Sequence, residues 1–308
     1  MRSISSGSIR SVAEVSNLRL PADLCLQLST EPSARSNVLE FSGGDGDPLG
    51  KIEFEQSLQG EQLNSAKQNE FKSDLCQEIV RLERWVADNN WPELPAPKFQ
   101  VAVSDRFKIS KSLVPAWSGH PGRMEFPAWR VIARKAAIMH ELVHVFFPNG
   151  NRLLAEGLAV YLQAEIGGNP AFPNFGRPLH ELARERLRNM VPGFSQGDPA
   201  SLEPVHITEL DAIATPSPLT LKVGNDYYGE EPCGQAHLYP IAGSFVRFLI
   251  ESRGLKMFRK LYERTPLVPL QQNGGAPERS TELYGLSLGE LSNEWKFHVA
   301  RHGELTEV

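Results

Sequence analysis

Two histidines and a glutamate stand in an otherwise apolar segment with helical character, "AAIMHELVHVFF", residues 136–147. Residues four apart lie on one face of an α-helix, about 6 Å apart along its axis, so His140 and His144 present two imidazoles in one direction. Two such nitrogens can bind a single metal ion. Glu141 lies about 100° round the helix, close enough to reach a water on that ion without ligating it. This spacing is the HExxH pattern.

A third ligand is needed, because catalytic zinc usually takes three protein ligands and leaves the fourth position for water. Glu156 is the natural candidate, since its neighbours in "LLAEGLAVYL" are apolar and an unpaired buried carboxylate is costly unless a cation neutralises it. The turn "FPNGN", residues 147–151, is expected to end the first helix and to let a second helix run back beside it. The sequence therefore predicts a Zn²⁺ site formed by His140, His144 and Glu156.

The composition excludes several classes of partner. The 308 residues are 41% hydrophobic, which is enough for a sizeable core, and the net charge of -5 comes without a Lys/Arg-rich run, so nucleic acid is not expected. Cys25, Cys76 and Cys233 are too far apart for a CxxC knuckle and too few for a disulfide framework. With no signal-peptide core and no run of 18 apolar residues, we expect no membrane span and a cytoplasmic location.

Strand patterns precede the histidine segment and helical patterns follow it. A hairpin is predicted from "NVLEF" and "KIEFEQ", an amphipathic helix over 66–88, and strands in "KFQVAVSD", "ISKSLVPAW" and "GRMEFPAW". Five further helices are predicted, in "RLLAEGLAVYLQAE", "PLHELARERLRN", "PIAGSFVRFLIESR", "LKMFRKLYER" and "SLGELSNEWKFHVAR". The expected fold class is α+β, with a strand-containing N-terminal part and a mainly helical C-terminal part. Residues 1–64 are predicted to be a β-rich segment and residues 65–308 a domain whose cleft lies near the helix pair 133–163.

The run from Met139 to Gln163, with "HELVH" followed by "LAEGLAVYL", resembles the gluzincin zinc metallopeptidases, specifically the peptidase MA-like proteins with a thermolysin-type catalytic fold. The later "AGSFVRFLIESRGLKMFRKLYE" and "YGLSLGELSNEWKFHV" are similar to the C-terminal helices of that group, so the resemblance covers roughly residues 99–302. It implies that residues 65–308 form a zincin-like catalytic domain. It also implies a peptidase that hydrolyses a peptide or protein substrate with a metal-activated water. By this resemblance His140, His144 and Glu156 match the zinc ligands, and Glu141 matches the general base.

Two features depart from the family pattern. Only eleven residues separate His144 from Glu156, so the connecting loop must be minimal. Val160 occupies the position four after the ligand glutamate, where several such enzymes carry an acidic residue, so another group must orient the histidines.

The resemblance also suggests residues that act on the substrate. A tetrahedral intermediate requires a hydrogen-bond donor opposite the metal, and Tyr239 and His237 are candidates, with Tyr239 favoured by its position. The alternative is that Tyr239 merely packs at the start of a helix. An extended substrate is expected to add as a strand to an exposed sheet edge at Arg123 to Phe126.

Two other functions remain open. A catalytically silent relative would use the fold to bind a partner, but this chain keeps all three ligands and the base. A structural zinc module would fill the fourth coordination position with another protein ligand, for which His180, His206 and His237 are candidates.

Overall fold

A computed structural model describes residues 38–42, 48–54, 63–91, 99–114, 122–190, 238–265 and 278–301. The strands are β1 (Val38–Ser42), β2 (Pro48–Phe54), β3 (Phe99–Ser104), β4 (Lys111–Leu113) and β5 (Gly122–Pro127). The helices are α1 (Ser65–Asp88), α2 (Ala128–Ile132), α3 (Ile138–Phe146), α4 (Arg152–Ile166), α5 (Leu179–Met190), α6 (Leu238–Arg253), α7 (Leu255–Glu263), α8 (Glu278–Tyr284) and α9 (Leu288–Arg301). The α+β class is confirmed, with strands in the N-terminal part and mainly helices after them.

The five strands form one mixed sheet in the order β1-β2-β3-β5-β4. β1 and β2 pair antiparallel, which confirms the predicted hairpin, while β2, β3 and β5 run parallel to one another. β4 returns antiparallel to β5, with Ser112 opposite Met124. Because β2 pairs with β3, strands from both sides of residue 64 belong to the same sheet.

The expected position of the sheet edge is wrong. Arg123 to Phe126 belong to β5, which pairs with β3 on one side and with β4 on the other. The edge of the described sheet on this side is β4, Lys111–Leu113. The sequence pattern of β5 could not predict that β4 lies outside it in the sheet. Alternation along a strand indicates which residues are buried, but not which strands are neighbours.

Helix α1 covers the sheet, as its amphipathic pattern predicts. Asn64 caps its N-terminus by accepting a hydrogen bond from the backbone N–H of Lys67 at 3.0 Å. Phe71 is buried and makes edge-to-face contacts with Phe54 of β2 and Phe126 of β5, at ring-centroid distances of 6.2 and 5.5 Å. The helix thereby fixes the position of the strands that lead into α3.

The C-terminal helices α5, α7 and α9 pack against α6, which itself lies against α4. Close approach of α4 and α6 depends on two glycines, because a Cβ at Gly157 would lie 2.8 Å from the carbonyl oxygen of Ala242. A Cβ at Gly243 would likewise lie 2.8 Å from the Cβ of Val160. Val160 is fully buried in this contact, which explains why an apolar residue stands where the resemblance suggests an acidic one.

No helix in the described part of the chain is both long and apolar enough to cross a membrane.

Candidate metal centre

Helix α3 carries both histidines of the HExxH segment on one face. The rings of His140 and His144 are nearly perpendicular, with centroids 4.7 Å apart, and their Nε2 atoms lie 3.1 Å from each other. His140 is 6% exposed. Spacing by one helical turn thus brings two imidazole nitrogens to one point, as the sequence predicts.

Glu156 on α4 completes the group. Its Oε2 lies 3.2 Å from Nε2 of His140 and 3.2 Å from Nε2 of His144, so the three atoms form a nearly equilateral triangle. Zinc ligands about 2.0 to 2.2 Å from the ion in tetrahedral geometry lie about 3.3 to 3.6 Å from one another, and the observed separations of 3.1 to 3.2 Å are close to that spacing. The structure therefore brings together the three residues that the sequence predicted as ligands.

The chemistry of the donors also fits a cation. Each neutral imidazole can carry its proton on Nδ1, so that both Nε2 atoms and the carboxylate oxygen present lone pairs to one point. Two imidazoles and one carboxylate form a donor set that suits zinc. Among the described residues, Nδ1 of His140 has no hydrogen-bond partner, so none of them orients this ring through that nitrogen.

The short turn between α3 and α4 is held by side-chain amides. Asn149 donates from its amide nitrogen to the carbonyl of Tyr262 at 2.9 Å, and its Oδ1 accepts from the N–H of Asn151 at 2.9 Å. Asn151 in turn caps α4 by accepting from the N–H of Leu154 at 3.1 Å. These contacts explain how eleven residues suffice to return the chain to the histidines.

Tyr262 on α7 supports the same turn and was missed by the sequence analysis. Its hydroxyl donates to the carbonyl of Phe147 at 2.6 Å. Burial, and to a smaller extent the nearby charge of Glu156, raises the pKa of Tyr262 well above its usual range, so the phenol stays protonated as a donor. The sequence gives little indication of this contact, because Tyr262 and Phe147 are 115 residues apart. The one signal is a tyrosine, which needs a hydrogen-bond partner when buried, within a helix.

Glu141 lies beside the ligand triangle and is held there by the edge strand. The hydroxyl of Ser112 on β4 lies 2.8 Å from Oε2 of Glu141 and 3.0 Å from its backbone carbonyl oxygen. Burial raises the pKa of the Glu141 carboxyl, while the two neighbouring histidines and the Ser112 hydrogen bond act in the opposite direction. Ser112 was not singled out from the sequence, although the strand that carries it was predicted.

Tyr239, the predicted hydrogen-bond donor, lies at the start of α6 beside the triangle. Its ring centroid is 6.2 Å from that of His140 and 5.4 Å from that of Phe172. His237 and His206 lie outside the described residues. The ring nitrogens of His180 contact Ser244 and Glu251, so His180 does not belong to this site. It is therefore not the fourth ligand that a structural zinc site would require here.

The sequence matches no protein-family model, no curated protein and no solved structure.

Proposed function

We propose that this chain is a zinc-dependent peptidase with a zincin-like catalytic domain, which hydrolyses bonds of a peptide or protein substrate. The observation that carries this proposal is the triangle of His140 Nε2, His144 Nε2 and Glu156 Oε2, with sides of 3.1 to 3.2 Å, beside the carboxylate of Glu141. Three ligands and an adjacent carboxylate that is not a ligand are the parts that metal-assisted hydrolysis requires.

A bound zinc ion would supply Lewis acidity and would lower the pKa of water in its open position. Glu141 would accept the proton of the attacking water on its carboxylate and then donate it to the leaving amine.

The edge strand β4 would bind the substrate. An extended peptide can add to an exposed strand through main-chain hydrogen bonds, and β4 is the edge of the described sheet next to α3. Ser112 lies in this strand and hydrogen-bonds Glu141, so a peptide along β4 would place its scissile carbonyl near the base. This assignment replaces the expectation that Arg123 to Phe126 form the docking edge.

Tyr239 would stabilise the negative charge that develops on the carbonyl oxygen. Its ring centroid lies 6.2 Å from that of His140, so the side chain is beside the ligand group. A phenolic hydroxyl donates a hydrogen bond without changing its charge, and one such donor is typically worth about 10²–10³ in rate.

Zinc-reconstituted wild type incubated with an unbiased peptide library, with cleavage products identified by mass spectrometry, tests the proposal. We expect cleavage that stops when zinc is removed by a chelator and returns when zinc is restored. Protein that retains zinc, cleaves no peptide and binds one protein tightly would instead support the non-enzymatic binding function.

A further inference from the structure

A second group of histidine and glutamate side chains lies where α5, α6 and α9 meet. Nε2 of His180 is 3.2 Å from Oε2 of Glu251, and Nε2 of His298 is 3.7 Å from the same oxygen. All three ligand atoms lie within 4.8 Å of one another. The group shares no residue with the triangle formed by His140, His144 and Glu156.

His180 is already oriented towards this point. The residue is 1% exposed, and its Nδ1 lies 2.8 Å from Oγ of Ser244, which accepts the indole N–H of Trp295 at 3.0 Å. Metal-binding histidines commonly have their second nitrogen held by a hydrogen-bond partner in this way. The ring is thereby fixed with Nε2 directed at Glu251.

Glu251 offers one oxygen to the two histidines. Arg247 donates from Nε to Oε1 of Glu251 at 2.7 Å, which leaves Oε2 facing His180 and His298.

Ser244, His180 and Glu251 also have the composition of a hydrolytic triad, but their burial opposes that function. Ser244 is 0% exposed and its Oγ accepts the Trp295 indole N–H, so no substrate carbonyl can approach it. Solvent reaches this group from the side of Glu251 and His298, whose side chains are 39% and 35% exposed.

We propose that His180, Glu251 and His298 form a second site for a divalent transition-metal ion such as Zn²⁺, which cross-links α5, α6 and α9. Two imidazoles and a carboxylate form a donor set that suits this class of ion. Binding requires His298 to move closer to Glu251, which its partial exposure permits. The site binds more weakly than the triangle in α3 and α4, because Arg247 shares the carboxylate and the ligand atoms are further apart.

Isothermal titration calorimetry of chelator-treated protein with Zn²⁺ tests this second site independently of any peptidase activity. We expect two binding steps in the wild type. His298→Ala and the polar variant His298→Gln should lose the weaker step and keep the tighter one, whereas Glu156→Gln should weaken only the tighter one. Glu294→Gln is the matched control on α9, because it removes a surface carboxylate paired with Arg253 and should keep both steps.

Far-UV circular dichroism of each variant should match the wild type, since His298 is partly exposed. A wild type with no second step overturns the second site, and so does a weaker step that survives in both His298 variants. Loss of the weaker step in Glu294→Gln would also overturn it, because binding would then depend on surface charge and not on these ligands. Failure of the tighter step alone would count against the ligand triangle and not against this site.

Discussion

The hydroxyl of Ser112 lies 2.8 Å from the carboxylate of Glu141, which joins the edge strand β4 to the helix α3 that carries both histidines. The same hydroxyl is 3.0 Å from the backbone carbonyl of Glu141. Strand, helix and the proposed general base are therefore connected through one side chain, and the orientation of the base depends on the strand proposed to bind substrate.

Ser112→Ala should retain zinc but lose peptidase activity by about 10–100-fold, the usual effect of removing a partner that orients an active-site group. The loss should appear in kcat and not in KM, because Ser112 acts through Glu141. Ser112→Thr keeps the hydroxyl and should recover much of the activity. Equal loss in both variants would show that the side-chain volume at this position matters and the hydrogen bond does not.

Glu156→Gln should weaken zinc retention, because a neutral amide replaces an anionic ligand. Competition with a chromogenic chelator should show an affinity loss larger than the roughly 10–100-fold typical of losing an outer partner of a metal ligand. Glu165→Gln on the same helix is the control, since Glu165 is exposed and pairs with Arg247. Equal zinc affinity in wild type and Glu156→Gln would mean that the third ligand lies elsewhere.

Gly157→Ala should destabilise the fold by about 1–3 kcal/mol through overpacking, because the added Cβ meets the carbonyl oxygen of Ala242 at 2.8 Å. Denaturant unfolding measures the change. Gly289→Ala is the control, since its Cβ would meet only Oγ of Ser287, at 3.9 Å, and it should be neutral or stabilising by up to about 1 kcal/mol. A Gly157→Ala protein as stable as wild type would contradict the close approach of α4 and α6.

Burial raises the pKa of Glu83 on α1 to about 7. Between pH 4.5 and 7 the unfolded chain loses this proton while the folded chain keeps it, so the free energy of unfolding should fall as the pH rises through that window. The free energy of unfolding can fall by at most about 1.4 kcal/mol for each unit by which the pKa of Glu83 differs between the folded and the unfolded chain. Glu83→Gln should remove this part of the pH dependence, and identical profiles for variant and wild type would rule out the shift.

Local patterns predicted much of this fold and of its site. The apolar spacing that includes Phe71 predicted α1, and the four-residue spacing of His140 and His144 predicted the convergence of their nitrogens. The position of Glu156 in an apolar helix predicted that it is the third ligand, because a buried carboxylate needs a partner. Each of these inferences depends on residues that are close in the chain.

Contacts between distant segments were not predictable in this way. Ser112 meets Glu141 across 29 residues, and Tyr262 supports the turn at Phe147 across 115. The order of β4 and β5 depends on pairing between strands, so the edge was placed at Arg123 to Phe126 instead of Lys111–Leu113. The proposed second metal site requires three helices to meet, and no single segment of the sequence predicts that meeting.

The most direct test of the central claim compares peptide hydrolysis by wild type and Glu141→Gln at equal, measured zinc content. Gln keeps the shape of Glu but cannot accept the proton of the attacking water. We expect Glu141→Gln to hold as much zinc as wild type and to cleave the same peptide about 10²–10⁴-fold more slowly, with substrate affinity nearly unchanged. Full activity of Glu141→Gln at full zinc content would contradict the claim that Glu141 is the general base of a zinc peptidase.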